Sequence, residues 1–458
     1  MLQTLKTAVK NKEIRNKLLL TLALLFAFRL GSWIPVPGIN MEMMGYAMAR
    51  GGTLFELLSA IGGQALQNGA LLAIGIAPYI NASIITQLLT IAIPKLELWS
   101  RQGEEGRKKI EKVTRWLCLF LAAAQAFGIA FSWHNSGTLI PIFASESTVW
   151  VAIIVAFIMI AGAMFTMWLG ERITEIGIGN GMSLLIFVGI VASAGLAIWG
   201  TAVAMTRPGA DITLGVWQML MFFAFVIVIF FLIVFIDGAE RRIPVQYAKQ
   251  VKGNKVYGGQ STHIPIKVNA NGVLPIIFAT ALVTFPMIIT QFISSFQPVV
   301  DGQETGLQRF AGWWQTNMSP NQINWHGSVI YFTLMGLLIL GFSYFYAQIQ
   351  FKPDEVARNL QQHGGTITGI RPGKPTEDYL RKINKRLTLF GAIFLMFVAI
   401  VPSIIMSEVA RAMEIPGGEG LVNAFSATGM LIVVSVALEI RTQLESQMMM
   451  KHYKGFLK

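Results

Sequence analysis

Residues 212–236 read ITLGVWQMLMFFAFVIVIFFLIVFI, a run without one Asp, Glu, Lys or Arg, bounded by Asp211 and Asp237. A helix crosses the hydrocarbon core of a bilayer with about 20 apolar residues, so this run reads as a transmembrane helix. Working outward, the same test marks charge-free windows at 57–94, 116–145, 147–170, 176–206, 268–300, 310–351, 387–407 and 420–438. One more, 18–35, carries the single charge Arg29. Of 458 residues, 54% are hydrophobic and 13% charged, whereas soluble domains carry charge on about a quarter of theirs. This deficit excludes a soluble enzyme, a disordered chain and a nucleic-acid-binding domain. The expected fold is an all-α polytopic membrane protein with ten transmembrane helices.

Charge placement tests that count. With the N-terminus in the cytoplasm and loops alternating sides, all but five of the 36 Lys and Arg residues fall on the inner side. The exceptions are Arg29 within the first span and Arg50, Arg207, Arg309 and Arg411 on the outer side. Cytoplasmic loops of membrane proteins carry such an excess of basic residues, and one missed helix would invert every later loop. Both ends, 1–17 and 441–458, are therefore expected in the cytoplasm, and the net charge of +12 is first a topology signal. The basic N-terminus lacks an A-x-A-like cleavage site, so the first helix is expected to stay. The single cysteine, Cys118, permits no internal disulfide.

Ten spans divide into five (18–200) and five (201–440). Because five is odd, two halves of like fold are inverted relative to each other, and inverted repeats place a pathway at their interface. No sequence repeat supports the division, which rests on architecture.

Some segments depart from plain helices. Window 57–94 is too long for one span: Thr53–Ile61 (TLFELLSAI) reads as a short helix ended by Gly62-Gly63, followed by a full span from about Gly69 to Ile93. Nine residues make roughly 13 Å, too short to cross, so the segment either re-enters the protein or lies in the interface. Gly177–Gly181 (GIGNG) reads as a flexible re-entry into the fifth span. On the inner side, 237–267 alternates Tyr, Val and Ile with basic residues, which predicts an extended hairpin, and 352–386 ends in a basic helix, EDYLRKINKR. Two structured basic loops on one face suit a large anionic partner. In the outer loop 301–326, tryptophans mark a candidate interfacial helix.

No catalytic constellation emerges, and no cofactor is expected. The five histidines lie in loops or at span ends, and neither H-E-x-x-H nor G-x-S-x-G occurs. GIRPGKPT (369–376) lacks the first glycine and the Ser/Thr of a phosphate loop. An ion-coupled carrier needs ionisable groups inside its spans, and only Arg29 is present, which favours a neutral, passively gated pathway. A small-solute secondary transporter with an inverted-repeat fold is the alternative.

The runs RLGSWIPVPGIN (29–40), GIAPYINASIITQLL (75–89), GEEGRKKIEKVTRW (103–116), MWLGERITEIGIGNGMSLLIF (167–187), ERRIPVQYAKQ (240–250), STHIPIKVNANGVLPIIFA (261–279) and GIRPGKPT (369–376) are similar to those of the bacterial SecY family of translocon channels. The resemblance extends in order over residues 10–455. It implies a clamshell of two five-helix halves through which unfolded preproteins cross the bacterial plasma membrane, with a side opening that releases apolar segments into lipid. It implies a pore ring at Ile76, Ile80, Met182, Ile186, Ile277 and Ile432, Met182 standing where isoleucine is common. The side gate falls on Asn81 and Gln87 of the second span and Thr284 and Phe285 of the seventh, whose polar groups would face each other across the gate. The short helix becomes a plug, formed by Thr53, Leu54, Phe55, Leu57, Leu58 and Ile61. Arg241, Arg242, Lys249, Lys252, Lys255 and Arg371 match the region that docks the SecA motor ATPase or a ribosome with its nascent chain. SecE-like and SecG-like membrane subunits, signal peptides and membrane lipids complete the implied partners.

Overall fold

The computed structural model describes residues 11–45, 59, 62–141, 147–206, 212–247, 250–252, 255–257, 261–269, 272–296, 306–318, 325–412, 421 and 424–455. The elements run α1 (Lys12–Gly31), α2 (Ala77–Ala92), α3 (Pro94–Arg101), α4 (Glu104–Asn135), α5 (Thr148–Ile176), α6 (Gly181–Met205) and α7 (Ile212–Asp237). Next come β1 (Glu240–Tyr247), β2 (Gln250–Lys252), β3 (Lys255–Tyr257), β4 (Ser261–Lys267), α8 (Leu274–Phe296), α9 (Gly306–Asn317) and α10 (Trp325–Gln350). The chain closes with α11 (Pro353–Gln362), β5 (Gly365–Ile367), α12 (Lys374–Ala412) and α13 (Ala427–Gly455).

Each charge-free window contains one main helix. Among the described residues, α4, α5, α6, α7, α10 and α12 are each long and apolar enough to cross a membrane, and α2 with α3 forms a further candidate bent by 100°. The other three windows fall on α1, α8 and α13. Of these, α1 and α13 carry charged residues towards their ends, and α8 is one continuous helix with Pro286 inside it. The helix α6 runs to Met205, past the expected division at residue 200. The basic segment EDYLRKINKR and the ninth span form one continuous helix, α12, with Pro402 inside it.

The second span differs from expectation. Helix begins only at Ala77; residues 62–76 are a chain of turns. Gly63, Gly69 and Gly75 stand at φ of +68°, +53° and +61°, a region that glycine enters without steric cost and that breaks helix three times. Backbone at membrane depth is tolerated only where protein buries it. Here Ala65, Leu66, Ala70, Leu72 and Ala73 are fully buried, and Val36 N–H to Gly69 O (2.8 Å) and Leu71 N–H to Ile34 O (2.9 Å) satisfy the backbone.

Lipid offers no hydrophobic drive between helices, so close packing of small residues takes that role. A Cβ on Gly181 would stand 2.0 Å from the Gly170 carbonyl oxygen, which is how tightly α5 and α6 cross. The linking GIGNG segment is pinned rather than flexible. Gly179 N–H donates to Gln443 Oε1 of α13 (2.7 Å) and Ile178 N–H to Thr21 Oγ1 of α1 (3.2 Å). The Asn180 side chain caps α6 by accepting from Met182 N–H.

The two large inner loops fold together. The predicted hairpin forms as β1 against β4, antiparallel, and β5 from the second loop adds to the other edge of β1. Successive strand side chains alternate faces, so Ile243 and Val245 point into a small core with Ile266, Leu360, Ile367 and Leu380. Pro244 has no N–H for a ladder. It stands opposite His263 of β4, one residue before β5 pairing begins at Val245.

Candidate functional site

Four helices from both halves meet in one apolar cluster. Ile76, Ile186 and Ile432 are buried within it, and Ile80, Met182 and Ile277 pack partly buried against it. Thus α2, α6, α8 and α13 bring together all six residues of the expected ring. Gly75 turns the chain so that Ile76 becomes the N-cap of α2, and Ile80 follows one turn later, its N–H donating to Ile76 O at 3.1 Å. Met182 uses its length: a Cβ on Gly170 would lie 2.2 Å from its Sδ, so the side chain reaches across to α5, over ground that a β-branched isoleucine does not cover. Phe28 of α1 and Leu72 back the same cluster.

Beside this constriction, α2 and α8 are joined in a way the sequence did not suggest. Phe285 of α8 packs into a cluster containing Ala82 of α2, Cys118 and Leu121 of α4 and Met167 of α5. Asn81 is buried. The Thr284 hydroxyl, expected to face α2, donates instead within its own helix to Ala281 O at 3.0 Å. Thr and Ser on helices commonly satisfy their hydroxyls on a preceding carbonyl, and nothing draws this one across. A polar link from α2 to the opposite half is made elsewhere: Tyr346 of α10 donates its hydroxyl to Gln87 Oε1, while Gln87 Nε2 donates to Ser83 Oγ at 3.2 Å.

The expected plug residues Thr53, Leu54, Phe55, Leu57, Leu58 and Ile61 lie outside the described residues. Their C-terminal boundary is described. Ser59 is helical and buried, Gln64 N–H donates to Ser59 O at 2.8 Å, and Gly63 is left-handed. A six-to-one bond around a left-handed glycine is a Schellman stop, the termination that Gly62-Gly63 predicts. Arg29, the lone charge of the first span, donates Nη1 to Gly63 O at 2.7 Å and lies 5.6 Å from the Trp33 ring.

The basic face is less uniform than a charge count suggests. Arg241 and Arg242 are adjacent on β1 and exposed, so the pleat sends them to opposite faces of the sheet. Arg242 is also paired with Glu240 at 2.8 Å. Lys252 and Lys255 are cross-strand partners at the end of the β2–β3 hairpin, and Lys249 lies outside the described residues. Arg371 is exposed at the tip of a turn flanked by Gly369 (φ +81°) and Gly373 (φ +96°). That turn is held by Ile370 N–H to Ile367 O (3.0 Å) and by the Thr376 hydroxyl donating to Arg371 O (2.8 Å).

A family model described as SecY matches residues 70–441. The chain is 37% identical to the protein translocase subunit SecY of Mycobacterium bovis and 38% identical to that of Halalkalibacterium halodurans, with all of both chains covered in each case. The chain belongs to the SecY family. Among solved structures it is similar to "The structure of a protein conducting channel", with TM-score 0.65 and 20% identity over 94% of this chain and 91% of that one. It is also similar to Sec61 of the canine ribosome-channel complex, with TM-score 0.61 and 18% identity over 94% and 91%. These likenesses carry the fold: ten helices in a two-halved clamshell.

Within this SecY-family frame, several residues escaped the reading of windows and loops. Tyr346 lies in a span whose length alone was informative. Gln443 lies in the C-terminal tail, and its role depends on a loop 264 positions earlier in the chain. Asp237, which bounds the opening stretch, is buried and accepts from Asn269 Nδ2 (2.8 Å) and Ser435 Oγ (3.3 Å), tying α7 and α13 to the entry of α8. A carboxylate at the end of an apolar run is a detectable signal; its partners are not.

Proposed function

We propose that this chain is the channel subunit of a protein translocase: unfolded preproteins pass between its halves, and apolar segments leave sideways between α2 and α8. The observation that carries the proposal is the convergence of Ile76, Ile80, Met182, Ile186, Ile277 and Ile432, from four helices of both halves, in one apolar cluster. A constriction of aliphatic side chains resists wetting, and such side chains rearrange around a passing chain of any sequence. The names of the SecY-family relatives and the structural likeness to a protein-conducting channel support the same reading. One of the similar structures concerns a SecY plug domain that stabilises the closed channel and maintains a membrane seal; residues 53–61 would hold that place here.

Passage requires work, and the sequence offers no nucleotide site, so a partner supplies it. The β4–β1–β5 sheet with Arg241 and Arg242, the hairpin bearing Lys252 and Lys255, and the rigid Arg371 turn form the docking face for SecA or for a ribosome. Lys249 belongs to the same loop. SecE-like and SecG-like subunits complete the assembly. The location is the bacterial plasma membrane, with both termini cytoplasmic. Asn81, Gln87, Thr284 and Phe285 mark the gate, and the Gln87–Tyr346 bond helps hold it shut.

The test is crosslinking of a stalled secretory chain to single cysteines at the six ring positions and at lipid-facing controls such as Phe231 and Phe235, both exposed on α7. Crosslinks at the ring and not at the controls are expected. Crosslinks confined to the controls would overturn the pathway.

A further inference from the structure

The amphipathic helix α9 is not used by the pathway described above. By connectivity it lies between the ends of α8 and α10 that are remote from the basic sheet, since α8 leaves β4 and α10 returns to α11 and β5. Its aromatic residues divide. Trp314 and, just past the helix, Met318 join the main core. Phe310 and Trp313 remain exposed, stacked with ring centroids 6.4 Å apart. Arg309, beside them, is exposed as well. The outward faces of the adjoining helix ends are also apolar, with Ile289 on α8 and Val329 and Ile330 on α10 exposed. The surface of α9 thus continues the lipid-facing belt at its rim.

Trp314 adds a connection. Its indole Nε1–H donates to the carbonyl of Val283 on α8 at 3.2 Å. That carbonyl adjoins Leu282, whose helical donor is removed by Pro286. The bond falls beside Thr284 and Phe285, on the helix assigned above to the side gate.

We propose that α9 is seated in the outer bilayer interface, with Phe310 and Trp313 at headgroup depth and Arg309 among lipid phosphates, and that Trp314 couples this lipid-held helix to α8. Amphipathic aromatic rings favour the membrane–water interface, and a helix with one apolar face lies in its plane. Lipid is the occupant because the face is continuous with the belt that bilayer already covers, and because a guanidinium beside two exposed rings matches a phosphate above acyl chains. The coupling part rests on α8 being the gate helix; the lipid part does not.

The experiment uses the full chain, with its membrane subunits, in phosphatidylcholine–phosphatidylglycerol vesicles. With Cys118→Ser as background, Phe310→Cys or Trp313→Cys carries an environment-sensitive fluorophore, and Glu355→Cys on α11 serves as the aqueous control. Lipids brominated near the headgroup are expected to quench both α9 probes at least twofold more than lipids brominated near the chain ends. Aqueous iodide is expected to quench only the control. Quenching of the α9 probes by iodide, or by neither agent because another subunit covers them, would overturn the lipid seat. For the coupling, Trp314→Phe keeps an aromatic ring at the position and removes the donor, and should raise deuterium uptake in the α8 segment 283–288 at least twofold. Unchanged uptake would overturn the coupling and leave the gate assignment, tested by crosslinking, untouched.

Discussion

Replacing Gly63 by alanine tests how the closed channel is held. Gly63 has φ +68°, where an L-residue costs about 1–2 kcal/mol. The new Cβ would stand 2.7 Å from Arg29 Nη1, 3.2 Å from Gly189 Cα and 3.3 Å from Gly189 O. The backbone of α6 cannot yield, so Arg29 must, and its bond to Gly63 O weakens. A hydrogen bond from a charged donor contributes about 1.5–3 kcal/mol. The combined penalty on the turn that follows the proposed plug segment is then about 2.5–5 kcal/mol if that bond is lost. Each 1.4 kcal/mol is a factor of ten, so the displaced-plug form should become roughly 60- to 4000-fold more populated if that form escapes the penalty. Gly137 is the matched control: its φ is +71°, with nothing within 4 Å of a built Cβ. Gly137→Ala carries the backbone strain without the Arg29 contact. The assay is ion conductance of the resting reconstituted channel in planar bilayers, with thermal unfolding in detergent as a check on folding. Gly63→Ala and Arg29→Gln should both leak, Arg29→Lys less so, and Gly137→Ala should stay tight. Resting conductance of Gly63→Ala and Arg29→Gln equal to that of the parent would refute the reasoning.

Three further outcomes follow from the geometry. Ile80→Asn combined with Ile186→Asn should ease export of preproteins with weak signal sequences and raise resting leak; if neither export nor leak changes, these residues are packing and not a seal. Arg371→Glu should abolish motor-driven translocation in inverted vesicles, because a rigidly presented charge is reversed, while membrane insertion stays normal; wild-type translocation would remove Arg371 from the docking face. Asp237→Ala leaves the buried Asn269 amide without its carboxylate partner and should cost about 1–3 kcal/mol, read as a lowered unfolding temperature, with Asp237→Asn losing less; equal stability of the alanine variant would mean that Asn269 finds another acceptor.

How much of this was legible differs between particular residues. The span 212–236 declared itself, because bilayer thickness sets a length that a run of charge-free residues either meets or does not. The hairpin 240–267 was visible through its alternation, and the stop at Gly62-Gly63 through its dipeptide. The second span was not: Gly69 and Gly75 break the helix up to Ala77, yet the hydropathy of 69–76 matches that of a helix, since hydropathy does not sense φ. Thr284 shows the limit at the expected gate, where a polar residue of the right type donates its hydroxyl back to Ala281, while a link from α2 to the opposite half runs through Gln87 and Tyr346.

Amino-acid order alone determined the number of spans and the expected sidedness of the basic loops, because these depend on local apolar length and on where Lys and Arg fall. Only the folded chain decided which aliphatic side chains meet at the waist, which polar groups bridge α2 to the opposite half, and how Arg29 is satisfied inside the membrane. Those outcomes depend on helix rotation and on contacts between residues far apart in the chain, and lipid, being as apolar as the helices, leaves such choices to close packing and to the few hydrogen bonds that fit.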